Sequence, residues 1–166
     1  MIYQGANGYL QEKRKKAASG DTWLPGSLNS LNLQTNGSFN LQSDPADANP
    51  GNDWDGLRMA AVYSNEFSEG PGGRIYYHFT AQNGKQWVQE IKWDQTNDTW
   101  YTGAALSGAS PNSHIAATID EQHKAVRVFY CTGNETLEES WLNLTQSNGT
   151  YQPGKTFASK WLSEPR

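Results

Sequence analysis

Arg74-Ile75-Tyr76-Tyr77, then Val88-Gln89-Glu90-Ile91-Lys92-Trp93, then Trp100-Tyr101-Thr102-Gly103 is the stretch whose reading decides the fold. Its three pieces are short, rich in aromatic and β-branched residues, and separated by polar turn signals such as Gln82-Asn83-Gly84. That is the pattern of consecutive antiparallel strands joined by tight turns. No window longer than about ten residues places apolar side chains at the 3 and 4 spacing of an amphipathic helix.

The same order of pieces occurs twice more. Upstream it reads Met1-Ile2-Tyr3-Gln4, Leu10-Gln11-Glu12 and Trp23-Leu24-Pro25-Gly26. Downstream it reads Arg127-Val128-Phe129-Tyr130, Leu137-Glu138-Glu139-Ser140-Trp141 and Tyr151-Gln152-Pro153-Gly154. Each copy has an aromatic strand, a strand bearing Glu, and an aromatic residue three places before Gly. Two small-residue strands lie between the copies, Leu57–Tyr63 with its Ala60-Ala61 pair and His114–Ile119 with Ala116-Ala117. Each full unit therefore has four short strands. Repetition of a four-stranded unit of roughly 40–50 residues is the signature of β-propeller blades, and the alanine pairs suit an inner strand where side chains converge.

The expected class is all-β, with about three blades of four antiparallel strands, half of a six-bladed propeller. Blade 1 is partial over residues 1–26. A polar insertion without periodicity follows at 27–56, then blade 2 at 57–103 and blade 3 at 113–154. The stretch Thr156–Leu162 reads as a further inner strand. Strands two to four of one unit thus stand at the N-terminus and strand one at the C-terminus. Two accounts fit: a two-fold homodimer whose C-terminal strands complete each partner's first blade, closing six blades, or a segment of a longer chain.

Composition narrows the function classes. The 166 residues include 7 Trp, 8 Tyr, 5 Phe and 16 Gly, while Leu, Ile, Val and Phe together make up roughly 16%. A formal charge of only −4 does not match the highly charged composition of disordered chains. With a pI of about 5.3 there is no basic face for nucleic acid. The run Lys13-Arg14-Lys15-Lys16 reads as a solvated strand end. No apolar run approaches the ~18 residues of a membrane span, and no secretory signal is visible, so a soluble protein is expected, cytoplasmic or non-classically secreted. A lone cysteine, Cys131, excludes an internal disulfide. His78, His114 and His123 lack metal-ligand spacing, so neither metal nor cofactor is expected.

The ordered set Arg-(Ile/Val)-(Tyr/Phe)-Tyr, x-x-Glu-x-x-Trp and Trp-x-x-Gly resembles the fungal fucose-specific lectins and their bacterial two-blade relatives. The resemblance is clearest over 57–154, partial over 1–26, and absent over 27–56. It implies a six-bladed propeller with sugar sites between neighbouring blades, Arg and Glu coming from one blade and aromatics from the next. It also implies fucosylated glycans as partners and no catalysis.

Such a site has a simple physical logic. Arginine offers a fixed fork of donors to vicinal oxygens, an ionised glutamate accepts from hydroxyls, and an aromatic ring covers the apolar face of the sugar. Carried over residue by residue, Arg74 and Glu90 form one polar pair, with Trp141 and Tyr151 as aromatics of the next blade. Arg127 and Glu138 form a second pair. Its partners, in another subunit's first blade, are Trp23 and Lys15, the lysine replacing an aromatic. Glu12 faces Trp93 and Trp100 but has Met1 where arginine is expected, so this site ranks last. Each Arg–Glu pair also reads as a plain cross-strand ion pair, worth ~0–1 kcal/mol when exposed. Trp23 and Trp100 also read as blade-closing core residues. A structural or protein-interaction propeller segment that has lost sugar binding is the alternative function.

Overall fold

The computed structural model describes residues 1–5, 8–15, 22–34, 59–80, 86–110, 114–132, 136–146 and 150–157. The chain divides into two compact units, residues 1–57 and 58–166. Among the described residues no helix is long and apolar enough to cross a membrane, and no group of three or more His, Cys, Asp or Glu is placed to hold a metal ion.

The first unit holds a three-stranded antiparallel sheet in the order β1-β2-β3, from β1 (Ile2–Gln4), β2 (Leu10–Lys15) and β3 (Trp23–Pro25). A 3-10 helix, Ser27–Leu31, follows directly. The start of the expected polar insertion therefore belongs to the fold. Leu28 is fully buried, as is Leu10. The Asn29 side chain takes the place of a strand neighbour: its Oδ1 accepts from Glu12 N at 2.6 Å and its Nδ2 donates to Glu12 O at 3.3 Å. Residues 35–58, with the acidic stretch and Trp54, lie outside the described residues.

The second unit holds two four-stranded antiparallel sheets, each formed in chain order. One contains β4 (Met59–Ser64), β5 (Gly72–Thr80), β6 (Gln86–Asp94) and β7 (Thr99–Ser107). The other contains β8 (Ile115–Asp120), β9 (Ala125–Cys131), β10 (Leu137–Asn143) and β11 (Gln152–Phe157). The sheets end several residues beyond the expected limits at 103 and 154. Thr156 and Phe157, assigned by sequence to a further inner strand, instead close β11, pairing with Glu138 and Leu137. Residues 158–162 lie outside the described residues.

Small side chains let the innermost strands meet. The alanine pairs lie on β4 and β8, and these two strands pack against each other. Around them the facing sides of the sheets form one core. It contains Tyr76, Val88 and Leu106 from one sheet, Val126, Val128, Tyr130 and Leu142 from the other, and Phe67 from the β4–β5 turn. Each fully buried valine here contributes on the order of 1.5–3 kcal/mol relative to exposure. Since strand side chains alternate, Arg127, Phe129, Glu139 and Trp141 project from the opposite face of the third sheet.

Two bulges break the outer strand pairings, and both fall at a glutamate. The β6–β7 register shifts between Gln89 and Ile91, and the β10–β11 register shifts between Glu138 and Ser140. A bulge re-aims the side chain at its centre, here Glu90 and Glu139. Each carboxylate then lies on a glycine of the outermost strand. A Cβ on Gly103 would stand 2.2 Å from Glu90 Oε2, and one on Gly154 would stand 2.7 Å from the Glu139 carboxylate. Gly103→Ala is therefore expected to destabilise the fold by ~1–3 kcal/mol through overpacking. Exposed Thr102→Ala should stay within about 0.5 kcal/mol. Urea denaturation of the two variants checks the difference.

Candidate functional site

Every sheet carries one glutamate in the same setting. Glu12, Glu90 and Glu139 lie against Gly26, Gly103 and Gly154. Each Oε2 accepts a backbone N–H from just beyond that glycine: Leu28 at 3.2 Å, Ala104 at 2.9 Å and Lys155 at 3.1 Å. Each carboxylate also holds a guanidinium. The Trp/Tyr-x-x-Gly signature of the sequence is thus the wall of a carboxylate pocket.

In the second sheet the pocket is sealed. Arg74 Nη1 donates to Glu90 Oε1 at 2.5 Å, and their side chains are only 4% and 1% exposed. Tyr151 of the third sheet donates its hydroxyl to the same oxygen at 2.7 Å, and the Tyr76 hydroxyl lies 2.6 Å from that of Tyr151. The two phenol rings meet edge to face at 6.3 Å. Burial, then the neighbouring Tyr76 and Glu90, push the Tyr151 phenol well above its usual pKa, which keeps it a donor. Burial alone would lower the Arg74 pKa, but its pairing with Glu90 outweighs this and raises it. Phe67 lies under the guanidinium, 4.3 Å from ring centroid to Cζ.

In the third sheet the arginine of the pair is partly open, while Glu139 is 5% exposed. Arg127 Nη1 donates to Glu139 Oε1, and Arg127 Nε donates to Asp120 Oδ2 at 2.8 Å. The Arg127 side chain is 29% exposed. Asp120 is pushed down to about 2, first by the His123 backbone N–H, then by Arg127 and the His123 ring. Burial would raise the Glu139 pKa, but Arg127 and the Lys155 N–H more than offset it. Phe129 stands opposite Glu139 and Trp141 opposite Arg127 in the β9–β10 register. All four side chains therefore share one sheet face. A guanidinium, a carboxylate and two rings on one strand pair are suited to binding a polyhydroxylated ring.

No protein-family model matches the sequence, and no curated protein does. Solved structures do match. The Aleuria aurantia lectin, described as a six-bladed β-propeller with a novel fucose recognition mode, superposes with a TM-score of 0.59 at 19% identity, over 96% of this chain and 46% of its own. AofleA from Arthrobotrys oligospora gives 0.58 at 20%, over 94% and 38%. The SapL1 lectin, solved with α-methyl fucoside, gives 0.56 at 18%, over 92% and 42%. These are β-propeller blades. The chain spans less than half the length of each of these lectins.

Several sequence assignments shift by one place. Glu138 does not join Arg127; it stands opposite Tyr130 in the β9–β10 register. Its neighbour Glu139 occupies the carboxylate position of blade 3. Trp141 does not face the Arg74 pair either. Leu142 holds the place of Trp93 and lies in the core with Tyr76, while Trp141 shares the face of Arg127. Tyr151 alone of the two expected aromatics reaches Glu90. In blade 1, Ile2 pairs with Glu12, so Met1 matches Ile75 rather than Arg74. Arg14, read as part of a solvated run, supplies the cation there. Its Nε lies 2.7 Å from Glu12 Oε1 and its Nη2 lies 2.7 Å from Ser27 Oγ.

The remaining aromatics are placed within their own units. Trp93 and Trp100 stack at 6.1 Å with 29° between planes, and Trp23 is 48% exposed. Sequence reasoning missed Arg14, Phe67, Glu69 and Asp120.

The two arginines differ in energetic role. Arg74→Ala should cost ~3–5 kcal/mol, because it leaves Glu90 buried and unpaired. Arg127→Ala should cost less, because the arginine is 29% exposed and its removal opens the buried Glu139 to water. Chemical denaturation checks both, and equal costs would contradict the distinction between sealed and partly open pairs.

Proposed function

We propose that this chain is a non-catalytic carbohydrate-binding lectin segment that takes fucose or fucosylated glycans on its Arg–Glu pairs. One observation carries the reading. Arg127, partly exposed and paired to the buried Glu139, shares a sheet face with Phe129 and Trp141, and the same glutamate pocket recurs in all three blades. The pairs Arg74–Glu90 with Tyr151, and Glu12–Arg14, are further candidates, and Trp23, Trp93 and Trp100 offer aromatic surfaces.

The comparisons add support. One matching structure is an AofleA variant with three evenly spaced arginines changed to alanine. Their separation equals that between Arg74 and Arg127 in this sequence. A carboxylate held ionised by arginine suits hydroxyl binding, whereas acid catalysis needs a carboxyl with a raised pKa. Because the chain spans less than half of the Aleuria, AofleA and SapL1 lectins, closing a six-bladed ring calls for a second copy or further chain. A homodimer is one assembly that would close the ring, and a longer chain is the other.

The sealed state of Arg74–Glu90 favours a second reading, a structural or protein-interaction segment without sugar binding. Calorimetric titration with methyl α-fucoside, on protein whose mass is fixed by light scattering, separates the two. The lectin reading expects saturable heat, at dimer mass where two copies close the ring. Arg127→Ala and Glu139→Gln should each weaken binding by ~1.5–3 kcal/mol, the worth of a charged hydrogen bond. No heat with fucoside, galactose or mannose would leave the interaction reading.

A further inference from the structure

Arg74 has a second acidic partner that the sugar-binding reading does not use. Glu69, in the turn between β4 and β5, places its Oε1 2.5 Å from Arg74 Nη2 and 3.4 Å from Lys92 Nζ. Its Oε2 accepts from Ser68 Oγ at 2.8 Å. The turn is anchored at both ends of the gap it covers. Phe67 is buried in the core and stacks on the guanidinium. Glu66 pairs with Lys124 at 2.6 Å, and Ser68 Oγ also donates to Gln146 O at 3.2 Å, both on the third blade.

Exposure shows what Glu69 does. Its side chain is 35% exposed, whereas Arg74 beneath it is 4% exposed and Glu90 1%. While that carboxylate is in place the Arg74 Nη2 donor is occupied, and the Glu90 side of the pair is closed by Tyr151. Glu69 is itself 35% exposed, so its carboxylate has solvent to swing into. Blade 3 lacks the device. There Asp120, at a strand end, engages Arg127 through Nε, and Arg127 Nη2 makes no hydrogen bond among the described residues.

We infer that Glu69 is a resident ligand of the Arg74 cleft, a carboxylate that occupies the arginine donors and that a sugar hydroxyl pair must displace. The inference rests on the lectin reading for the identity of the displacing ligand, but the occlusion stands on geometry alone. It makes the cleft latent: neutral sugars bind it weakly or only after Glu69 moves, and the partly open Arg127 pair binds first. Glu69 is thereby a specificity-determining residue of the cleft. The solvent-facing carboxylate also repels acidic sugars that approach the same donors.

Labelling with phenylglyoxal, read per arginine by peptide mass spectrometry, tests the occlusion without assuming a sugar. In Glu69→Ala, Arg74 should react at least roughly ten-fold faster than in the parent, the scale of one lost charge-assisted hydrogen bond, while the rate at Arg127 is unchanged. Glu69→Gln, which keeps the size and removes the charge, should fall between. An unchanged Arg74 rate, or an equal rise at Arg74 and Arg127, overturns the proposal. Methyl α-fucoside should then protect Arg74 in Glu69→Ala. Faster labelling without such protection upholds the occlusion and removes the lectin reading from this cleft.

Discussion

A glutamate carboxylate seated on a glycine and tied to a guanidinium is the interaction on which the rest of the molecule depends. It costs several kcal/mol to take one such charge out of water, so each must be compensated locally. The compensation comes from three directions: a backbone N–H beyond the glycine, an arginine, and in blade 2 the Tyr151 hydroxyl. The glycine is required because any Cβ would occupy the carboxylate's volume. In blades 2 and 3 a bulge at the glutamate accompanies this seat, whereas in blade 1 Glu12 reaches Gly26 from an unbroken β2–β3 register. In blade 2 the two Gln89 amide protons are shared among the Glu90, Gly103 and Ala104 carbonyls that surround the bulge.

One arrangement produces three different surfaces. In blade 2 the pair is covered by the neighbouring blade and by Glu69, and it acts as a structural tie between Tyr76 and Tyr151. In blade 3 the same positions face away from blade 2, and the pair keeps a donor edge exposed to solvent. In blade 1 the cation comes from two residues along the same strand, so one strand supplies both charges. Burial therefore separates the blade 2 tie from the blade 3 pair, whose arginine keeps an edge in solvent.

Much of this was legible in the sequence. The recurring aromatic-x-x-Gly ends and the Arg-starting strands located the blades, and the alanine pairs located the inner strands. Arg74, Glu90 and Tyr151 meet as expected because their spacing from the turns is unambiguous. Glu138 and Glu139 are adjacent, and spacing alone could not choose between them. The two-residue period could: Leu142 must face the core with Val126 and Val128, which turns Glu139 and Trp141 to the other side. Arg14 was hidden inside a basic run, because no pattern says that a same-strand i, i+2 pair can replace a cross-strand one. Glu69 sits in a turn, where position depends on how the turn is anchored rather than on periodicity. The Ser27–Leu31 helix was obscured by its polar composition, its one buried side chain being Leu28.

The central proposal is that the partly exposed Arg127, with its partner Glu139, binds a deoxy sugar. Two-dimensional NMR of the arginine Nε–Hε groups, during titration with methyl α-fucoside, tests it most directly. The account predicts a saturable shift of the Arg127 signal, with Arg74 moving little while Glu69 covers it. Saturating sugar that leaves the Arg127, Arg14 and Arg74 signals all unmoved would contradict it.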